Sequence, residues 1–291
     1  MKKFHSAALV CALLCGALLN LASCAGRTPV DISGAASVDD LRGAYISAQA
    51  GTYHEIARTQ IPEVGGQVYA DFDSLLAALR SGAIDGYIAE EPTAFVNCRK
   101  DPSLGYLKFE NNKNGFTATA DDTAIAVGCK KGSPLTERIN AVLATLTDAQ
   151  KSALMEEIFT VRSGGTVPSY SVSYETPAEP TGTLKIAMEC AYDPFNWTQT
   201  TDADGAVPIH GTSGTDLYAN GYDVQIAKYI AAALGMTLEV YAVEWDSLIN
   251  GVQAGTYDAI VAGMSPTAER REKIDFSIPY YTSNLVVIYQ K

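Results

Sequence analysis

From Ala7 to Leu19 the chain carries no charge, and this apolar run follows Lys2 and Lys3. Its length suits the hydrophobic region of a signal peptide and falls short of the roughly 20 residues that cross a bilayer as a helix. Beyond it the apolar positions become periodic. Ala44 to Ala48 reads as a strand, and the following Gly51-Thr52 opens a helix. Leu184 to Met188 reads as a strand. Tyr222 to Leu234 reads as a helix, with Val224, Ala227, Ile230, Ala231 and Leu234 on one face before Gly235. Strands that alternate with helices predict mostly parallel sheets covered on both faces, with ligands outside the carboxyl ends of the strands.

A shift of 173 positions lays Phe72-Asp73-Ser74-Leu75-Leu76 over Trp245-Asp246-Ser247-Leu248-Ile249. The match continues with Gly82 over Gly255, Asp85 over Asp258 and Ala89 over Ala262. Each copy predicts a helix with an aromatic-Asp-Ser start suited to an N-cap, a glycine at its C-terminus and a short apolar strand. Two related α/β lobes follow, with the natural ligand site in the cleft between them. Residues 163–182 are rich in Ser, Gly, Thr and Pro and predict a flexible to semi-extended linker. Thr198 to Asn220 reads as irregular. Its Asp202-Ala203-Asp204-Gly205 lacks the rest of a calcium loop and is taken as a surface turn.

Composition narrows the function. The 291 residues hold 21 Lys plus Arg against 33 Asp plus Glu, a net charge of −12, and 47% are hydrophobic. That length suits two domains. The negative surplus repels phosphate backbones and anionic headgroups, which excludes nucleic acid as a partner. Leu21-Ala22-Ser23-Cys24 resembles the bacterial lipobox, so Cys24 is expected to be lipidated and to become the first residue after processing. Cys98, Cys129 and Cys190 then remain. Their spacing matches no zinc pattern, and only His54 and His210 accompany them, so buried free thiols are expected, with no metal and no cofactor.

Several motifs carry a family resemblance. Gly221-Tyr222-Asp223-Val224, Trp245-Asp246, Tyr257-Asp258-Ala259-Ile260, Gly263-Met264-Ser265-Pro266-Thr267-Ala268-Glu269-Arg270 and Asp275-Phe276-Ser277-Ile278-Pro279-Tyr280-Tyr281 resemble the first lobe of family 3 amino-acid-binding proteins of ABC importers. Upstream, Gln49-Ala50-Gly51-Thr52 and Ile84-Asp85-Gly86-Tyr87-Ile88-Ala89-Glu90-Glu91-Pro92 resemble that family's second lobe. The resemblance implies a two-lobed type II periplasmic-binding-protein fold with a hinge. It also implies an order of parts: signal peptide 1–23, lipidated tether 24–40, lobe two 41–123, a return hinge strand and helices 124–162, linker 163–182, and lobe one 183–291 ending in a hinge strand over Asn284 to Lys291. The lobes stand in reversed order. Circular permutation explains this, joining neighbouring termini and opening the chain at an exposed crossing so that one covalent hinge strand remains. A stretch of a tandem array, with missing halves elsewhere, is the competing account.

A free amino acid carries an ammonium and a carboxylate, so a site that desolvates it must supply both opposite charges. Arg270 is the expected carboxylate partner through its planar fork, with Ser265 completing the clamp that the resemblance implies and Gly263 opening the same motif. Gly51 and Thr52 start a helix whose free N–H groups favour an anion, while Tyr53 departs from the family's usual Thr. Glu90, where many relatives carry Asp, and Glu189 are expected around the ammonium; Glu91 is the weaker substitute. The resemblance places the rings of Tyr192 and Trp245 against the ligand side chain, whereas Phe72, Phe195 and Phe276 are assigned to core or rim. The expected protein is an extracytoplasmic lipoprotein, anchored by lipid to the bacterial cell membrane, that hands a free amino acid to an ABC permease without chemistry. An enzyme on the same scaffold, such as a cyclohexadienyl dehydratase, or a ligand-sensing module stands as the alternative.

Overall fold

The computed structural model describes residues 28–172, 175, 178–211 and 216–291. The export segment, the lipidation residue Cys24 and four positions of the linker lie outside the described residues. Asp31–Lys291 forms one compact unit, and two sheets organise it.

The smaller sheet runs in the order β1 (Ile46–Ser47), β2 (Gly86–Glu90), β15 (Leu285–Gln290), β3 (Leu104–Lys108). β1 and β2 are parallel, and β15 is antiparallel to both its neighbours. β15 shows why it holds the centre. Val286 and Ile288 join the larger apolar cluster, while Leu285 and Val287 join a second cluster with Leu41, Ile46 and Phe116. A strand buried on both faces reads as an unbroken apolar run, and period-two geometry sends alternate side chains to opposite cores. The final segment, expected to act as a hinge strand, is therefore a central strand of the smaller lobe.

The larger sheet holds β5 (Gly128–Lys130), β6 (Thr183–Met188), β7 (Ala191–Tyr192), β8 (Asn196–Gln199), β9 (Val207–His210), β10 (Tyr218–Asn220), β11 (Thr237–Ala242), β12 (Ala259–Ile260) and β13 (Ile274–Phe276). Its order is β13-β5-β12-β6-β11-β9-β10-β8-β7. The predicted parallel arrangement forms its heart, where β12, β6, β11 and β9 run together. Antiparallel strands flank that heart on either side. Thr198 to Asn220, read as irregular, instead supplies the end of β8, then β9 and β10, around a 3-10 turn at Ala203–Gly205. These strands are short and polar on one face, so too few apolar positions repeat for alternation to show.

The chain crosses between the sheets twice. β4 (Ala124–Ile125) runs into the larger sheet, and β14 (Tyr281–Thr282) runs out of it into β15. The two pair antiparallel, and Tyr280 N–H to Ile125 O at 2.9 Å and Ser283 N–H to Thr123 O at 3.0 Å extend the ribbon. Two hinge segments are thus present where one was expected. The linker is also less free than its composition suggests. Val172 is buried in the larger core, and Tyr170 donates its hydroxyl to Asp204 O at 2.8 Å.

Both repeat copies fold as helix then strand, with different starts. In the first, Asp71 caps helix Phe72–Arg80 by accepting from Ser74 N–H at 2.6 Å, one residue before the aromatic-Asp-Ser start. In the second, Trp245–Ser247 forms a 3-10 turn before helix Leu248–Ala254. Cys98, Cys129 and Cys190 are free thiols.

Candidate ligand-binding site

The segments that follow β1, β2, β6 and β12 converge between the two lobes, the place that strand ends reserve for ligands in α/β folds. An inner cavity of about 10 Å³, near the size of one water, is lined by Gln49, Thr52, His54, Phe72 and Glu90 from the smaller lobe. Tyr192, Trp245, Gly263, Ser265 and Arg270 line it from the larger lobe. An outer groove of about 530 Å³ opens past Trp245 and Arg270 between Gly51 and Lys273. So small an inner space admits an amino acid only when the walls part.

Helix Ala268–Lys273 carries Arg270 into this space, capped by Thr267, whose hydroxyl faces Arg270 N–H. The guanidinium is buried, and burial lowers its pKa to about 10. It donates from Nη1 to Ser265 O at 2.9 Å and from Nη2 across the cleft to Gly51 O at 2.7 Å. Carbonyl dipoles position this fork without neutralising it, so its full charge still calls for an anion. Trp245 lies beneath it, 5.1 Å from ring centroid to guanidinium carbon.

Glu90 ends β2, and its buried carboxylate meets a partner that sequence reasoning missed. Glu90 Oε1 lies 2.9 Å from His54 Nε2. Helix Tyr53–Arg58 carries His54 there because the turn at Gly51, with φ +68°, aims the first helical turn at the end of β2. Glu189 follows β6 and accepts from Gln49 Nε2 across the cleft at 3.0 Å. Burial pushes its pKa up to about 7, against the lowering effect of that hydrogen bond, and the nearby Asp71, Glu244 and Asp73 add to the rise.

Tyr192 and Phe72 close the cleft from opposite lobes, their rings stacked at 4.3 Å and 9°. Gly263 makes this possible. Its φ is +61°, and a Cβ there would lie 2.8 Å from the Tyr192 ring. Phe72 is therefore a cleft wall as well as core. Phe195 and Phe276 are buried in the larger core.

Of the residues expected at the site, Arg270, Ser265, Gly263, Tyr192, Trp245, Thr52 and Glu90 come together around the inner cavity. Two stand apart from it. Glu189 lies behind Gln49, and Gly51 lines the outer groove. The role expected of the Gly51-Thr52 turn also changes. Gly51 N–H donates to Glu55 Oε2 at 2.8 Å and Thr52 Oγ1 donates to Gln49 O at 2.7 Å, so the turn offers Arg270 a carbonyl and already holds an anion of its own. Tyr192 and Trp245 do not face each other as a pair, since Tyr192 takes Phe72 and Trp245 takes Arg270. Glu91 is turned away to Lys108. Gln49 and His54 were not predicted to line the cavity, whereas Phe72, expected at core or rim, and Tyr53, the departure from the family's Thr, both do. The only sequence signal for His54 and Tyr53 was their place just after Gly51-Thr52.

Residues 184–291 match the family model of bacterial extracellular solute-binding proteins, family 3. The arginine-binding extracellular protein ArtP of Bacillus subtilis is 38% identical over 71 residues, 24% of this chain and 28% of that protein. The L-cystine-binding protein TcyA of the same organism is 32% identical over 110 residues, 38% of this chain and 35% of that protein. The octopine-binding periplasmic protein of Rhizobium meliloti is 32% identical over 97 residues, 33% of this chain and 28% of that protein. The chain thus spans about a third of the length of the curated relatives it matches, and those relatives are binding proteins. What the comparisons show is therefore a similarity, over residues 184–291, to the bacterial extracellular solute-binding proteins, family 3.

Proposed function

We propose that the protein captures a free amino acid between its two lobes and passes it unchanged to an ABC permease. The observation that carries this reading is Arg270, a buried guanidinium held by two carbonyls and set across the cleft from the buried Glu90 carboxylate. A zwitterion offers each of them its opposite charge. The matched relatives bind arginine, cystine or octopine by name, each of which carries an amino-acid carboxylate. Closure follows from contacts available only when the lobes meet.

Lipidation at Cys24 would hold the protein outside the cytoplasm, at the membrane that bears the permease. The reversed order of the lobes is read as a circular permutation. Its support is that β1 and β15, far apart in sequence, flank β2 on either side, so the smaller lobe is completed within this chain.

Calorimetry with the standard L-amino acids tests the function. At least one is expected to bind, and Arg270→Ala should weaken it by about 2–5 kcal/mol. Unchanged affinity in that variant would remove the clamp, and the absence of binding by any amino acid would remove the reading itself.

A further inference from the structure

Three buried polar atoms line the inner cavity without a hydrogen-bond partner: Glu90 Oε2, His54 Nδ1 and the Tyr192 hydroxyl. Their chemistry is not symmetrical. Glu90 Oε1 lies 2.9 Å from His54 Nε2; an ionised carboxylate can only accept there, so Nε2 carries the proton of that bond, and in the neutral imidazole this leaves Nδ1 as a bare acceptor. One cavity wall therefore presents two orphan acceptors, a carboxylate oxygen and an imidazole nitrogen. Leaving such groups unpaired is costly, and a single N–H donor satisfies one of them. A primary ammonium carries three.

We infer that His54 is a second ammonium receptor beside Glu90, so that the cleft selects ligands whose amine has at least two N–H donors. The inference rests on the amino-acid reading above and assigns the amine end of that site. The same imidazole positions Glu90, since the Nε2–H bond fixes one carboxylate oxygen and leaves the other for the ligand. The charged and titratable groups around it are Glu90 at the end of β2, Tyr53 on its own helix, Tyr192 of β7 and Arg270 of helix Ala268–Lys273. The edge of Phe72 completes the enclosure at 6.0 Å.

Two measurements test this on the intact protein, with the amino acid bound most tightly among the standard set as probe. In the first, that amino acid is compared with its Nα,Nα-dimethyl derivative, which keeps the charge and loses two donors. Wild type should bind the derivative at least roughly tenfold more weakly, the order of one lost charged hydrogen bond. Equal affinity overturns the proposal without any variant being made. In the second, the preference for the amino acid over its dimethyl derivative is compared between wild type and His54→Gln, which retains a donor for Glu90 and lacks the imidazole nitrogen. The preference should shrink in the variant while the amino acid itself is still bound. An unchanged preference overturns the role of His54 and leaves amino-acid binding standing, whereas failure of wild type to bind any amino acid removes both readings.

Discussion

The two copies of the helix–strand repeat, Phe72 to Glu90 and Trp245 to Gly263, share a fold and meet the cleft with opposite chemistry. Each buries a helix against its sheet and delivers a strand whose carboxyl end points at the cavity. At their equivalent last positions one carries Glu90, a buried carboxylate, and the other carries Gly263, which has no side chain and a positive φ. At their equivalent first positions Phe72 stacks on Tyr192 while Trp245 lies under Arg270. The scaffold positions, which are the apolar helix face and the glycine after the helix, are alike, and packing demands the same of both lobes. The cleft positions differ, with a buried carboxylate on one wall and a glycine on the other.

This contrast can be broken where it is sharpest. Phe72→Ala removes a buried ring that serves both core and cleft and should cost about 3–5 kcal/mol of stability by denaturant unfolding. Trp245→Ala, at a half-buried ring, should leave stability nearly intact and lower ligand affinity instead. Equal unfolding losses would show that the two aromatics play one role.

Gly263→Ala places a methyl against the Tyr192 ring at a left-handed backbone position, an expected loss of about 2–4 kcal/mol. Gly255→Ala is the natural control. Its φ is +76° with open space around it, so only the backbone preference, about 1 kcal/mol, is at stake. The difference between the two variants measures the close approach alone.

Glu189, behind Gln49, adds a pH dependence to the stability of the fold. Its folded-state pKa is raised from 4.5 to about 7, so the neutral form is favoured in the native protein. The stabilisation is whole below about pH 4.5 and is lost as pH rises through 7, by at most about 3 kcal/mol. Thermal unfolding of the ligand-free protein should therefore show Glu189→Gln gaining on wild type between pH 5 and pH 8. A constant gap between the two would place Glu189 in contact with water.

The fold was legible where local pattern and tertiary need coincide. Helix Tyr222–Ala233 and β6 carried clear periodicity, and their apolar faces lie in the core. Arg270, Ser265, Gly263 and Glu90 stood out through their motifs, and one cavity gathers them. The strands between Asn196 and Asn220 were not, because short polar strands are defined by their partners. Nor was the pairing of His54 with Glu90, 36 residues away.

The sequence by itself determined the alternation of strands and helices, the repeated unit and the charges available to a ligand, since each depends on residues a few positions apart. Only the tertiary structure decided that β15 sits at the centre of the smaller sheet, that two segments cross the hinge and that three unpaired polar atoms share one cavity. Those facts depend on which distant strands close against one another, and loop closure over a long chain leaves no periodic trace in the residues it brings together.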